Sequence, residues 1–178
     1  MHLPADEHHE WETMRKTFAT LAAGAFAVAA ACFAAQPAAA YDGSPLINTE
    51  EPWITVCATP YGGHTVNGTY LTLWSCNGDD SQAWKWISTS QGRELYNSAS
   101  RKCLTPSGGR SGTDGTQLTL WTCGVDTAQL FVADPTQGTV YTKYGNECIT
   151  NYGGSFTDGT NLVLWGCNGS SAQKWSLS

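Results

Sequence analysis

The stretch LTLWSCNGDDSQAW at residues 71–84 decides the fold, because it recurs twice in the same chain. Its counterparts are LTLWTCGVDTAQLF at residues 118–131 and LVLWGCNGSSAQKW at residues 162–175. Each copy contains a Leu-Trp pair, a cysteine two residues after the Trp, and a Gln-x-aromatic ending. Self-similarity at a spacing of about 45 residues indicates a triplicated structural unit.

The residues around each copy predict β structure. An Asn-Gly or Asp-Gly pair, typical of a hairpin turn, precedes each Leu-Trp stretch at residues 67–68, 114–115 and 158–159. The following residues alternate in a way typical of a strand, and no amphipathic helix of useful length follows residue 40. We therefore predict an all-β chain with about four short strands per unit. Three units that share one core around a pseudo-threefold axis predict a closed β-trefoil of twelve strands.

Six cysteines follow residue 40, and their even number behind an export signal indicates disulfides. They are Cys57, Cys76, Cys103, Cys123, Cys148 and Cys167. Six cysteines allow fifteen pairings, but the near-identical local intervals favour three local bridges, one per repeat. A zinc site is the competing interpretation, yet no two of these cysteines lie two to four residues apart and His64 is the only histidine after residue 40. We predict no metal site.

Residues 1–40 are interpreted as an upstream extension followed by a secretory signal peptide. Arg15 and Lys16 precede an Ala-rich apolar run, and the small residues 37–40 form a cleavage pattern. A membrane anchor and lipid attachment at Cys32 are the alternatives. We therefore expect a secreted, extracellular protein. Residues 41–52 are interpreted as a flexible N-terminal segment, with docking to a partner as the alternative, and residues 53–178 as the folded domain.

The charge pattern excludes several functions. The chain has nine Lys and Arg against fifteen Asp and Glu, a net charge of −6 without a basic stripe. Nucleic acid and an anionic membrane surface are therefore not expected partners. A pair of carboxylates could serve glycoside hydrolysis, but Asp114 and Asp158 fall in turn dipeptides and Asp79 and Asp80 in a loop. We expect neither an enzyme nor a cofactor.

The threefold pattern Cys…Leu-Trp-x-Cys-Asn-Gly…Gln-x-Trp resembles the ricin B-type lectins, in particular secreted bacterial members. This resemblance implies a β-trefoil, a disulfide within each repeat and up to three shallow sugar sites. In that family an Asp two residues after the first Cys accepts hydrogen bonds from two sugar hydroxyls, an aromatic at the Leu-Trp position stacks on the sugar, and an Asn precedes the Gln. Here the aromatic is present three times, whereas Thr replaces the Asp and Ser or Ala replaces the Asn in every repeat.

The candidate ligand contacts follow from this resemblance and from strand alternation. With the Leu side chains facing the core, the Leu-Trp tryptophans face outward; the alternative is that they only cover the disulfides. The candidates are Trp74, Trp121, Trp165, Thr59, Thr105, Thr150, His64, Asn77 and Asn168. For His64 the alternative is a solvated loop position. Trp84, Phe131 and Trp175 of the Gln-x-aromatic motif are predicted to fill the core.

Two functions follow. The first is a non-catalytic, carbohydrate-binding lectin-like module whose polar sugar contacts are altered, because a neutral Thr replaces a carboxylate acceptor. The second is a protein–protein adaptor in a secreted assembly, such as a toxin particle, that keeps the trefoil as a scaffold.

Overall fold

The computed structural model describes residues 42–49, 55–109 and 112–177, and this part of the chain is all β apart from one-turn 3-10 helices. The strands are β1 (Ser44–Asn48), β2 (Val56–Pro60), β3 (Leu71–Ser75), β4 (Ala83–Ser88), β5 (Arg93–Asn97), β6 (Lys102–Pro106), β7 (Thr116–Trp121), β8 (Leu130–Asp134), β9 (Thr139–Thr142), β10 (Glu147–Asn151), β11 (Leu162–Gly166) and β12 (Trp175–Leu177). The 3-10 turns are Tyr61–Gly63, Asp80–Gln82, Ser107–Gly109, Thr127–Gln129, Tyr152–Gly154 and Ser171–Gln173. Four strands per repeat agree with the prediction.

The predicted signal peptide and Cys32 lie outside the described residues. Within the described ranges, no helix has the length and apolar character needed to cross a membrane.

Six strands, the first and the last of each repeat, form a barrel. β1 pairs antiparallel with β4 and β12, β4 with β5, β5 with β8, and β8 with β9. β12 meets the start of β9 where the Trp175 N–H donates to the Gly138 carbonyl at 2.7 Å. The other six strands form the hairpins β2–β3, β6–β7 and β10–β11. This arrangement is the predicted β-trefoil.

The three hairpins are joined by a hydrogen bond that every repeat makes. The turn glycine of each hairpin donates its N–H to the carbonyl of the Leu before the Leu-Trp tryptophan in the next hairpin, at 2.8 Å each time. The pairs are Gly68–Leu120, Gly115–Leu164 and Gly159–Leu73. These glycines have φ values of 83°, 84° and 85°, a region in which glycine avoids the Cβ clash of other residues. The hairpin contacts therefore run in a closed cycle.

The Gln-x-aromatic residues lie in the core, as predicted. Trp84, Phe131 and Trp175 are only 0%, 2% and 3% exposed. The indole N–H of Trp84 donates to the Ala58 carbonyl at 2.9 Å, and that of Trp175 donates to the Ile149 carbonyl at 3.0 Å. Fully burying a large apolar side chain contributes on the order of 1.5–3 kcal/mol, so each of the three residues stabilises the core. The two tryptophans also tie the first strand of their hairpin to the barrel through the indole bond.

The three local disulfides are confirmed. They join Cys57 to Cys76, Cys103 to Cys123, and Cys148 to Cys167, with Cα–Cα distances of 5.0–5.1 Å. Each bridge ties the beginning of a hairpin's first strand to the residues just beyond its second strand. In the chain-entropy model a loop of this length is stabilised by about 3 kcal/mol.

The interpretation of residues 41–52 as a flexible segment outside the fold is wrong for its described part. Residues 44–48 are β1, which pairs with β2, β4 and β12, and Leu46 is fully buried in the core. The strand is short and its partner β12 lies at the other end of the chain, so nothing in the neighbouring sequence marks it as a strand. The trefoil therefore begins before residue 53, and β1 is occupied within its own barrel rather than free to dock elsewhere.

Candidate functional site: three aromatic clefts

Each repeat carries a shallow cleft at the same place. One wall is the 3-10 turn that contains Gly-Gly, the other is the Leu-Trp tryptophan, and the base holds the Thr two residues after the first Cys. The first, second and third clefts belong to repeats one, two and three and have volumes of about 460, 420 and 330 Å³. These volumes fall in the lower range of small-molecule sites, about 300–1,000 Å³.

The Leu-Trp tryptophans stand at the surface and line these clefts. Trp74, Trp121 and Trp165 are 46%, 43% and 38% exposed. Two of them rest on the hairpin turn of the preceding repeat: a Cβ on Gly68 or Gly115 would lie 3.8 Å from Cζ3 of Trp121 or Trp165. These indoles therefore combine an open ring surface with backbone support from a second repeat.

Strand alternation describes this surface only in part. Thr72 shares a strand face with Trp74, yet it is 3% exposed because it lies at the base of the first cleft, where its hydroxyl donates to the Thr59 carbonyl at 3.2 Å. Along this face of β3, solvent exposure therefore begins only at Trp74, near the end of the strand.

The three threonines are already engaged in structural hydrogen bonds. Each hydroxyl donates to the carbonyl of the cysteine two residues earlier, at 3.1, 3.0 and 2.9 Å for Thr59, Thr105 and Thr150. Each hydroxyl oxygen also accepts from the side-chain amide of a buried glutamine, at 3.1, 2.8 and 3.1 Å. With its proton used, the threonine can offer a ligand only an acceptor.

These glutamines, Gln82, Gln129 and Gln173, are 3%, 0% and 0% exposed. Each Nε2 also donates to the carbonyl of the residue after the Leu-Trp tryptophan, at 2.8–3.1 Å. Each Oε1 accepts from a backbone N–H in the loop after the second Cys, at 2.7–3.1 Å. The glutamine therefore holds the cleft base, the tryptophan strand and this loop together. The sequence contained the signal, a Gln at the same place in all three copies, but its role was missed.

The predicted Asn77 and Asn168 line the first and third clefts. Their Oδ1 atoms accept from the backbone N–H two residues later, at 2.9 and 3.0 Å. This turn leaves the Nδ2 group as the donor available to a ligand. The second repeat has Gly124 at this position and lacks that donor.

Two carboxylates in the clefts were missed as site residues. Asp79 lines the first cleft and Asp126 the second, and Ser170 takes this position in the third. Oδ1 of each carboxylate accepts the N–H two residues later, at 2.8 and 2.9 Å. Hydrogen bonds from Ser81, first from its hydroxyl and then from its N–H, hold the pKa of Asp79 below its usual range. The other oxygen of Asp126 lies against Gly109 on the facing wall.

Two tyrosines were also missed. Tyr61 and Tyr152 begin the Gly-Gly turns of the first and third clefts and are 60% and 57% exposed. The second repeat has Ser107 there. The signal was present, because both tyrosines directly precede Gly-Gly in the sequence. The first and third clefts therefore pair this tyrosine with the tryptophan, whereas Tyr70 accompanies Trp121 in the second cleft.

The remaining candidates lie apart from the cleft linings. His64 is exposed, and its ring packs against Gly62, but it is not among the residues that line the first cleft. Asp114 accepts from the Gly166 N–H and Asp158 from the Ser75 N–H, both at 2.7 Å. These aspartates therefore connect a turn to the residue after the tryptophan of the next repeat, beyond the turn chemistry expected of them.

One group of metal-type side chains occurs in the described residues: Glu94 with Cys103 and Cys123. Both sulfurs are joined in a disulfide, so neither is a thiolate that could bind a metal ion. Glu94 is instead a buried carboxylate beside a disulfide.

The comparisons with known proteins agree with this fold. The chain matches the family model described as a ricin-type beta-trefoil lectin domain over residues 38–131 and again over residues 93–178. No curated protein sequence matches the chain.

Three solved structures illustrate the structural likeness. The designed 3-fold symmetric protein ThreeFoil is 20% identical with a TM-score of 0.68, over 75% of this chain and 96% of its own. The C-half of an earthworm R-type lectin, in complex with GalNAc, is 12% identical with a TM-score of 0.58, over 76% of this chain and 97% of its own. The exo-beta-1,3-galactanase 1,3Gal43A from Clostridium thermocellum is 23% identical with a TM-score of 0.67, over 79% of this chain but 30% of the galactanase.

At these identities the structural likeness establishes the fold alone, while the family model matches the sequence of both halves of the trefoil. The chain therefore belongs to the family of ricin-type beta-trefoil lectin domains.

Proposed function

We propose that this protein is a secreted, non-catalytic carbohydrate-binding module that holds sugar rings against Trp74, Trp121 and Trp165. The observation that carries this proposal is the repeated cleft, in which an exposed indole is fixed beside polar loop groups. A pyranose has a face made of C–H groups, and burying that face against an indole removes apolar surface from water. The GalNAc bound by the earthworm lectin is consistent with this class of ligand.

The polar contacts differ from those implied by the family resemblance. The threonine that replaces the family's Asp has its proton bound to a backbone carbonyl. Hydrogen bonds to a charged group contribute about 1.5–3 kcal/mol, against about 1 kcal/mol for a neutral pair. In this proposal Asp79 and Asp126 supply the charged acceptor from another part of the first and second clefts, and Asn77 and Asn168 supply donors in the first and third.

Non-catalytic binding fits the number of carboxylates in each cleft. Glycoside hydrolysis ordinarily requires a pair of carboxyl groups about 5–9.5 Å apart. The residues that line the first and second clefts include one carboxylate each, and those that line the third include none. The proposal therefore assigns these clefts to binding, with avidity for a polymer arising from three linked weak sites.

The test is retention on immobilised polysaccharides such as galactan, xylan and chitin, combined with a glycan array. We expect the triple variant W74A/W121A/W165A to lose retention and each single variant to reduce it. Tyr144→Ala is the matched control, because Tyr144 is 63% exposed and lies outside the clefts. Failure of the unaltered protein to bind any glycan at millimolar concentration would contradict the proposal, and release of reducing sugars would contradict its non-catalytic part.

Secretion is the second part of the proposal, and the three disulfides support it, because such bonds persist in oxidising compartments. We expect the protein in the culture medium, with a mass that lacks the residues before about position 41 and all six cysteines oxidised. Mass spectrometry of the native secreted protein under non-reducing conditions measures both features. A reduced protein inside the cell would contradict this part.

A protein adaptor in a secreted assembly is the second candidate function, favoured by the apolar surface of the second cleft. Tyr70 and Val125 are 55% and 59% exposed beside Trp121. Purification from culture medium discriminates between the candidates. A stoichiometric protein partner that is lost on Val125→Ser supports the adaptor, and a lone protein that binds glycans supports the lectin-like module.

A further inference from the structure

Three Asn-Gly pairs occur in the sequence, and the structure places them in two kinds of surroundings. Asn67-Gly68 lies in a hairpin turn, whereas Asn77-Gly78 and Asn168-Gly169 lie in the loops after the second Cys of the first and third repeats. All of these residues are exposed. Such a pair is chemically labile, because glycine has no Cβ to shield its backbone nitrogen, and that nitrogen can attack the carboxamide of the preceding asparagine.

The backbone N–H of the glycine distinguishes the three pairs. The Gly68 N–H donates to the Leu120 carbonyl at 2.8 Å, the bond that joins two hairpins. The Gly169 N–H donates to Oε1 of the buried Gln173 at 3.3 Å. The Gly78 N–H has no hydrogen-bond partner in the described part of the chain, and a Cβ on Gly78 would meet nothing within 4 Å. The nitrogen of Gly78 is therefore the least constrained of the three.

The carboxamide of Asn77 is also activated for this reaction. Its Oδ1 accepts the Asp79 N–H at 2.9 Å, and such a donor stabilises the negative charge that develops on the oxygen when a nucleophile attacks Cγ. Oδ1 of Asn168 accepts a backbone N–H in the same way, at 3.0 Å. In Asn67 the amide instead donates to the Thr122 hydroxyl at 3.2 Å. Of the three pairs, Asn77-Gly78 is the one that combines a polarised carboxamide with an unbonded glycine N–H.

We propose that Asn77-Gly78 is a site of spontaneous deamidation. The Gly78 nitrogen loses its proton to solvent and bonds to Cγ of Asn77. The bond from Cγ to Nδ2 then breaks, and Nδ2 takes a proton from solvent and leaves as ammonia. Water opens the resulting succinimide at either carbonyl, so that position 77 becomes an aspartyl or an isoaspartyl residue. Water is the only co-reactant, and nothing is oxidised or reduced.

The reaction changes the first cleft, which Asn77 lines. It replaces a neutral donor with a second carboxylate in the same lining as Asp79. The isoaspartyl form also lengthens the backbone by one methylene at the residue whose N–H donates to Oε1 of Gln82 at 3.0 Å. The second repeat has Gly124 at this position and is exempt. The deamidation is independent of the proposed function, and only its effect on sugar binding rests on that function.

The test follows all three pairs in the full chain during long incubation in mildly alkaline buffer. Peptide mapping by mass spectrometry measures deamidation at each asparagine, and an isoaspartyl methyltransferase assay measures the isoaspartyl product. We expect Asn77 to react about tenfold faster than Asn67, equivalent to ~1.4 kcal/mol of activation free energy, with Asn168 between them. In the reduced chain unfolded in guanidinium, the three rates are expected to converge, because the hydrogen bonds of the glycine N–H groups are lost.

Two variants complete the test. Asn77→Gln keeps a carboxamide but would have to form a larger ring, so we expect deamidation at position 77 to be suppressed while Asn67 and Asn168 react as before. Asn77→Asp supplies the aspartyl product directly. In a W121A/W165A background, we expect Asn77→Asp to weaken retention on immobilised galactan by the first cleft several-fold.

The outcomes separate this inference from the proposed function. Equal rates at Asn77 and Asn67 in the folded protein, or an intact Asn77 when Asn67 has reacted, overturn the inference. Unchanged retention of Asn77→Asp overturns its consequence for the first cleft. Absence of glycan binding by the unaltered protein overturns the proposed function and leaves the measured order of deamidation rates standing.

Discussion

The base and the rim of the three clefts differ in how closely they repeat. At the base, the hydroxyl of a threonine, the amide of a glutamine and the carbonyl of a cysteine form the same network three times. At the rim, the Gly-Gly turn begins with Tyr61, Ser107 or Tyr152, and the loop after the second Cys carries a carboxylate in only two repeats. Repetition therefore marks what the fold needs, and departure from it marks where the clefts differ in the groups that they present.

The largest expected effect is a loss of stability in the barrel, which supports the bases of the three clefts. Leu46→Ala removes a fully buried side chain from β1, and such a truncation costs about 2–5 kcal/mol of unfolding free energy. Urea denaturation measures the loss. Ile47→Ala, on the half-buried face of the same strand, is the matched control and is expected to cost less. Equal, small effects at both positions would mean that β1 is not part of the stable barrel.

A smaller loss of unfolding free energy is expected when the hydrogen-bond network at the base of one cleft is removed. Gln129→Ala removes the amide that donates to the buried Thr105 hydroxyl at 2.8 Å, together with its part-buried bonds to the Val125 N–H and the Thr122 carbonyl. One buried unsatisfied group costs about 1–3 kcal/mol, so we expect a decrease of about 2–3 kcal/mol in chemical denaturation. Gln91→Ala, in an exposed loop, serves as the control. If the two variants were equally stable, the repeated network would not be what the fold needs.

A change at the rim sharpens the comparison without touching the base. Ser107→Tyr gives the second cleft the tyrosine that the other two clefts have. We expect sugar affinity of that cleft to rise several-fold, because a further aromatic surface, contributing about 0.5–1.5 kcal/mol, becomes available beside Trp121 and Tyr70. Titration in a W74A/W165A background measures it, with Thr136→Tyr, in the turn after β8, as a control for added aromatic surface. An unchanged affinity would contradict a contribution of these tyrosines to sugar binding.

The smallest expected effect is a pH dependence of stability caused by Glu94, a residue of the scaffold that the other two repeats do not share. It is 2% exposed, accepts from the Gly124 N–H at 3.1 Å and lies 3.2 Å from the Cys103 sulfur. Burial raises the pKa of Glu94 above its usual 4.5, although the Gly124 hydrogen bond opposes this. The folded state therefore retains a proton that the unfolded state releases, and stability falls as pH rises from about 4.5 through the raised pKa.

We expect Glu94→Gln to remove this slope and to raise the unfolding free energy at neutral pH relative to the unaltered protein. Urea denaturation at several pH values between about 4 and 7 covers the window. Asp80→Asn, at an exposed site, is the control. A slope that persists in the glutamine variant would assign the pH dependence to another group.

The sequence predicted those parts of the molecule that repeat. Trp84, Phe131 and Trp175 in the core, the three disulfides and the exposed Leu-Trp tryptophans all follow from one unit read three times. Periodicity succeeds here because neighbouring residues determine which face of a strand is buried.

Features that depend on distant partners were not predicted. β1 joins the barrel by pairing with β12 at the opposite end of the chain, and the sequence of β1, whose only adjacent apolar residues are Leu46 and Ile47, carries no information about that partner. The resemblance placed Thr59 in the site but could not reveal that Gln82 and the Cys57 carbonyl already hold its hydroxyl. The buried carboxamide of Asn151, which has no hydrogen-bond partner in the described residues, likewise depends on which groups surround it in space.

The cyclic turn contacts have a consequence for how the clefts can evolve. Trp121 packs against Gly68, and Trp165 packs against Gly115. Each turn glycine is also hydrogen-bonded to the hairpin of the next repeat, and the glycine of the third repeat is bonded to the hairpin of the first. The aromatic walls of the second and third clefts are thus each shared by two repeats. Losing the second repeat would therefore remove its own cleft and also the support of Trp165 in the third, whereas a point change at one rim leaves these contacts in place.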